Sequence, residues 1–169
     1  MRVAFRLGID LGTSTTVAVL GGPASTRPLL FDASPLLSSA VFAGPGPELL
    51  TGLDAERAAT AHPAGLEANP KRRIDDGTIW LGERDYPVAE ILAAILRRVG
   101  AEARRVAGEA PAEVVLTHPA AWGRTRLSLL ADAAARAGMA DAGLVPEPVA
   151  AAAYFATARG LGPEQCVVV

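Results

Sequence analysis

Lysine is almost missing from this chain. Lys and Arg together number 16, and Lys71 is the single lysine among them. Cysteine is equally scarce: Cys166 stands alone, which excludes a disulfide within the chain. One cysteine and two histidines, His62 and His118, cannot assemble the four-ligand set typical of structural zinc. A basic surplus is absent too. The formal charge is −2 and no stretch is strongly basic, so the electrostatic footprint of a nucleic-acid binder is lacking. No window approaches 18 uncharged apolar residues, which argues against a transmembrane helix. The opening "MRVAFRLGID" has no long apolar core of the signal-peptide kind. A cytoplasmic location and no membrane segment are the expectation.

Several catalytic signatures are also missing. There is no G-x-x-x-x-G-K-[ST] phosphate loop and no G-x-G-x-x-G dinucleotide fingerprint. No G-x-S-x-G elbow supports a serine hydrolase. Cys166 lies in the apolar "QCVVV" and reads as a packed thiol rather than a nucleophile. Trp80 and Trp122 read as core or loop anchors rather than stacking platforms.

What is present is a globular composition: 50% hydrophobic and 20% charged residues over a length that suits one domain with a proper core. "FRLGIDLG" and "TTVAVLGG" read as strands joined by a very short turn, with "RPLLF" and "SSAVF" as further short strands. "LDAERAATAH" reads as a short helix, residues 64–78 as irregular, and "TIWLGERDYPV" as a hairpin. From about Pro87 to Val106, apolar residues recur at helical spacing from Val88 through Ile95 to Ala103. "AEVVLTHP" (strand), "GRTRLSLLADAAARAG" (helix), "AGLVPEP" (strand) and "PVAAAAYFATARG" (helix) follow, and "QCVVV" is a last strand candidate. Strands first, then strand and helix in alternation, predict a mixed α/β sheet with flanking helices.

Three short stretches carry candidate chemistry. In "GIDLGTST", Asp10 interrupts an apolar strand just before a Gly-containing turn. Successive backbone N–H groups at such a turn can form an anion nest. A carboxylate at its mouth can hold Mg²⁺ through water. The competing reading is an ordinary hairpin whose Asp caps its own turn. In "VPEPVAAAA", Glu147 stands between two prolines that fix the backbone at a strand–helix junction. That is where α/β folds place ligands. The helix dipole alone would also favour an acid there, although it does not explain the double proline. In "NPKRRIDDG", Lys71 is either coding drift or a position that demands a compact ammonium instead of a planar fork.

Taken in order, "LGIDLGTSTTVAVL", "PKRRI", "YPVAEILAAILRRV", "EVVLTHPAAWGRTRLSLLADAAARAGM" and "LVPEPVAAAAYFA" resemble the N-terminal ATPase domain of the 70-kDa heat-shock chaperones. The resemblance implies an actin-like, ribonuclease-H-like α/β fold, with residues 1–163 as the first lobe of a two-lobed ATPase domain. A small β/α insertion would fall at about 35–110, and 164–169 would begin a second lobe that is missing. It implies ATP/ADP and Mg²⁺ as ligands. Asp10 and Glu147 would sit at the metal through water. Gly12, Thr13, Ser14 and Thr15 would wrap the phosphates. Lys71 would contact the γ-phosphate and the attacking water, which Glu147 helps orient, and Pro119 would relay nucleotide state. Implied partners are unfolded polypeptide clients and co-chaperones, bound through parts of the protein outside this chain.

The chain departs from the pattern in several places. The stretch between Arg73 and Tyr86 is short. His118 replaces a usually apolar residue. An arginine the family carries early in the next helix falls on Leu127, with Arg126 one place away. Without a second lobe, this chain alone is expected not to turn over ATP, and Val167, Val168 and Val169 are expected outside the central sheet. Alternatives are a sugar-kinase-like or filament-forming actin relative, and a non-enzymatic nucleotide-sensing scaffold or pseudo-ATPase. The residues Asp10, Lys71 and Glu147, together with the K-R segment, favour the first reading.

Overall fold

The computed structural model describes residues 5–22 and 25–159. The chain runs through β1 (Arg6–Leu11), β2 (Thr15–Gly21), β3 (Thr26–Pro28), β4 (Leu37–Ser38), β5 (Val41–Ala43) and β6 (Leu49–Thr51). Then come α1 (Leu53–Ala59), β7 (Leu66–Glu67), β8 (Thr78–Leu81), β9 (Arg84–Pro87) and α2 (Val88–Ala107). The remainder is β10 (Glu113–His118), α3 (Arg124–Arg136), β11 (Gly143–Pro146) and α4 (Glu147–Arg159). The "QCVVV" segment lies outside the described residues. No helix among the described residues is long and apolar enough to cross a membrane.

The fold is mixed α/β. Its main sheet has the order β11-β10-β1-β2-β3, with β4 also paired to β2. β2 runs antiparallel to β1, β3 and β4, while β1, β10 and β11 are parallel. The antiparallel pair β1–β2 needs only a tight turn. The parallel pair β10–β11 needs a crossover, which α3 supplies. Alternation sorts the faces: Leu7, Ile9 and Leu11 are buried, whereas Arg6, Gly8 and Asp10 are exposed on the opposite face. The buried face shares one apolar core with α2 and α3.

Helix α2 follows its sequence signal. Ile91, Leu92, Ile95, Leu96 and Val99 are fully buried. Each fully buried Leu or Ile contributes about 1.5–3 kcal/mol relative to exposure. Gly108 ends the helix at φ 78°, and its N–H bonds Arg104 O at 2.8 Å. That left-handed cap is open to glycine without a Cβ penalty.

Between β3 and α2 the chain builds a small layer: the β6-β5-β7 sheet, α1 and the β8–β9 hairpin. Here the sequence expectations need correction. "SSAVF" is not one strand. Leu37–Ser38 pairs with β2, and Val41–Ala43 pairs with β6 and β7 in another sheet. The break falls at Ser39, whose polar groups are drawn to the 12–16 turn. "RPLLF" is a strand only as far as Pro28, because the chain reverses at Asp32 and Ala33, both at positive φ. Strands β6 and β7 were not foreseen; they are short and take their pairing from β5. Trp80 is no core anchor: on β8 it is 64% exposed.

Candidate functional site

Three parallel strands, β1, β10 and β11, end at Leu11, His118 and Pro146. A cleft of about 350 Å³ opens beside these ends, lined by Asp10, Gly12, Thr13, Lys71, Pro119, Trp122 and Glu147. Six of these seven, all but Trp122, are residues expected at the site from the sequence, drawn from four distant stretches. Ser14 and Thr15 border a different, smaller groove. A larger cleft between β6 and α2 includes none of the expected site residues, and its Glu90 is already paired with Arg97 and Arg136.

The turn at one wall is tightly specified. A Cβ on Gly12 would collide with the carbonyl oxygen of Thr15, so only glycine fits the turn as it stands. Ser39, fully buried, clamps it from behind. Its hydroxyl donates to Gly12 O at 3.0 Å and lies 2.9 Å from the Thr16 hydroxyl, while its N–H donates to Ser14 O at 2.9 Å. The Ser14 hydroxyl turns to the lysine segment and donates to Asn69 Oδ1 at 3.0 Å.

Lys71 sits in a 3₁₀ turn, Pro70–Arg73, and is only 8% exposed. Its Nζ donates to Glu147 Oε1 at 3.0 Å and lies 5.3 Å from the centroid of the Trp122 ring. A buried ammonium requires such partners, because uncompensated burial of charge is strongly unfavourable. The aromatic face adds cation–π attraction. Glu147 is the first residue of α4, and its side chain is 41% exposed towards the cleft. Asp10 accepts a hydrogen bond from Thr117 Oγ1 at 2.8 Å.

A polar network fixes the lysine turn. Glu67 accepts from Asn69 N at 2.8 Å and pairs with Arg73 at 3.3 Å, and Arg73 also reaches Asp76 at 2.6 Å. Asp75 then ties the segment to α3 through two bonds from Arg126, at 3.0 and 2.6 Å. Arg126, one place from the family's arginine position, thus has a partner of its own. Hydrogen bonding to Arg126 holds the Asp75 carboxyl below the ordinary carboxylate range, against the opposing effect of desolvation and with added attraction from the Arg126 charge.

This pair has a pH consequence. A carboxyl depressed in the folded state stabilises the fold above its unfolded value, roughly pH 3.9, and that contribution disappears as pH falls through the lower folded value. Asp75→Asn should therefore lower the thermal midpoint slightly at neutral pH and not at all in strong acid. The difference should shrink in high salt, since the pair is exposed. An offset between the two proteins that is constant with pH would show that the pair contributes nothing by charge.

His118 is buried, and its Nδ1 donates to Pro119 O at 3.0 Å; a carbonyl can only accept, so Nδ1 carries the hydrogen. Trp122 is a loop anchor: it packs against the core and its backbone N–H donates to Pro119 O at 3.0 Å, while its place beneath the lysine has no signal in the sequence. Ser39, Asn69 and Thr117 were missed as well. Thr117 had one legible signal: it lies two residues before Pro119 and so on the face opposite Leu116 and His118.

Among the described residues no cluster of three or more His, Cys, Asp or Glu could cage a metal. The cleft instead presents two carboxylates, Asp10 and Glu147. That donor set suits a magnesium ion that keeps most of its waters.

Fold and cleft define a mixed α/β protein with a polar, cation-bearing pocket at the carboxyl ends of its parallel strands. Comparison with known proteins makes the relation specific. The chain is 32% identical over 170 residues to the chaperone protein DnaK of Elusimicrobium minutum (strain Pei191), covering 96% of this chain and 27% of that protein. It is 30% identical over 155 residues to the DnaK of Cenarchaeum symbiosum (strain A), covering 88% of this chain and 24% of that protein. The DnaK of Halobacterium salinarum is 28% identical over 151 residues. No family model matches the chain. Over nearly its whole length the chain is therefore similar to part of the DnaK-type, 70-kDa heat-shock chaperones, and it spans about a quarter of the length of the curated relatives it matches.

Proposed function

We propose that this chain forms the first lobe of an actin-like, ribonuclease-H-type ATPase domain, and that in a protein of its relatives' length it binds and hydrolyses ATP for a heat-shock-type chaperone. The observation that carries the reading is the meeting of Asp10, Gly12, Thr13, Lys71 and Glu147 at one cleft. The sheet supports it too: a β1–β2 hairpin extended by β3 on one side, and parallel β10 and β11 on the other.

In this reading the turn from Gly12 to Thr15 offers backbone N–H groups to the phosphates, and the missing side chain of Gly12 lets the turn close against the Thr15 carbonyl. Bound magnesium would supply charge neutralisation at the phosphate oxygens, held through water by Asp10 and Glu147. The Lys71 ammonium has three protons, one of them given to Glu147. The others are available to a γ-phosphate oxygen and to the attacking water. Glu147, more open than Lys71, accepts a hydrogen bond from that water and orients it in line. Preorganised charge is the main contribution to such a reaction. Pro119, which lines the cleft and is hydrogen-bonded through its carbonyl to His118 and Trp122, would in this reading register whether phosphate is present. Clients, co-chaperones and a cytoplasmic location belong to the same proposal.

The test is nucleotide binding and turnover by the full-length protein, with and without an unfolded peptide. Trp122 provides a direct readout. In a Trp80→Phe background it is the sole tryptophan of this chain, and Mg·ATP should change its emission as the lysine above it is drawn to phosphate. Undisturbed emission at saturating Mg·ATP, together with no calorimetric heat, would place nucleotide elsewhere.

A further inference from the structure

We infer that Thr117 is a positioning residue for Asp10, orienting its carboxylate for the metal-bound nucleotide; the inference rests on the proposed ATP site. β1 and β10 are parallel, with Ile9 opposite Leu116. One step further along both strands brings Asp10 beside Thr117, on the sheet face opposite the buried Ile9 and Leu116. Thr117 Oγ1 donates to Asp10 Oδ1 at 2.8 Å, across 107 residues of sequence. This is the one hydrogen bond to the Asp10 side chain among the described residues.

A hydroxyl has a single proton and an ionised carboxylate only accepts, so the bond has one direction and commits one carboxylate oxygen. The plane of the carboxylate is thereby set, and the second oxygen is left for a cation's water shell. Carboxylates that hold metals are commonly oriented by such outer partners, and losing one typically costs about 10–100-fold in metal affinity or activity. A valine at 117 would keep the β-branched shape of a strand residue and would remove only the donor.

The experiment is calorimetric titration of ATP into the full-length protein, once with magnesium and once with EDTA, for the wild type, Thr117→Val and Thr117→Ser. The wild type should bind more tightly with magnesium. In Thr117→Val that magnesium-dependent gain should fall about 10–100-fold, while affinity in EDTA and the thermal midpoint stay close to wild type. Thr117→Ser, which keeps the donor, should retain the gain. A valine variant with the full magnesium gain overturns the inference and leaves the nucleotide reading intact. A wild type whose ATP affinity ignores magnesium overturns the nucleotide reading itself, and this inference with it. Should the valine variant not fold, Thr117→Ala set against Thr117→Ser isolates the same hydroxyl, and equal magnesium gains in those two overturn the inference.

Discussion

Lys71→Ala is expected to slow ATP hydrolysis by about 10²–10³ in the full-length protein, the effect of losing a positioned transition-state charge, with far less change in ATP affinity. The Lys71 side chain is 8% exposed, and its ammonium is backed by Trp122 and bonded to Glu147, so it is held in place before any ligand arrives. Charge already fixed in position requires no reorganisation during the reaction. Glu147 loses its partner in the variant, but at 41% exposure water can solvate it, so the fold should survive. Lys71→Arg tests the identity of the cation. A guanidinium keeps the charge and can still stack on Trp122, yet its planar fork cannot occupy the place of an ammonium held between a carboxylate and a ring. Arg should therefore fail to restore hydrolysis. Normal turnover by the arginine variant, measured beside a wild-type control, would falsify the view that the single lysine is chemically required and would leave coding drift as its explanation.

Gly12→Ala is expected to weaken ATP binding by about 10–100-fold, corresponding to backbone strain on the order of 1–3 kcal/mol at the turn. The added Cβ would meet the Thr15 carbonyl oxygen, which belongs to the backbone and cannot swing aside as a flexible side chain could. Relief requires the turn to open. Opening strains the bonds from Ser39 to Gly12 O and Ser14 O, and with them the alignment of N–H groups on which the proposed phosphate cradle depends. The thermal midpoint should fall as well, since those bonds are part of the buried structure. Titration of ATP against both proteins decides the matter. Unchanged affinity in the alanine variant would mean that the phosphates do not lie against this turn.

Much of the fold was legible because its signals are local. The stripe from Val88 to Ala103 required only 3.6-residue periodicity, and α2 is where it placed a helix. The β1–β2 hairpin, the β8–β9 hairpin and the strand–helix pairs from β10 to α4 follow equally from alternation, glycine and proline. The failures fell on elements of two or three residues. β4, β6 and β7 have no pattern of their own and exist because a neighbouring strand presents free hydrogen-bonding groups. Ser38 and Val41 stand three residues apart in one apolar-looking run yet enter different sheets, a choice made by the buried bonds of Ser39.

The site divides along the same line. By itself the sequence determined which residue types were out of place: an acid within an apolar strand, an acid between two prolines, and one lysine among arginines. These are anomalies of composition and local backbone, visible without coordinates. Only the tertiary structure decided that Asp10, Lys71 and Glu147 border the same cleft, because that depends on the parallel register of β1, β10 and β11 and on the packing of the 70–77 segment against α3. It alone put Trp122 beneath Lys71 and Thr117 beside Asp10. A threonine in a strand and a tryptophan after a proline are ordinary residues in sequence. They matter here because of what stands within hydrogen-bonding or stacking distance, and contacts spanning 51 to 107 residues are set by long-range pairing that no local propensity encodes.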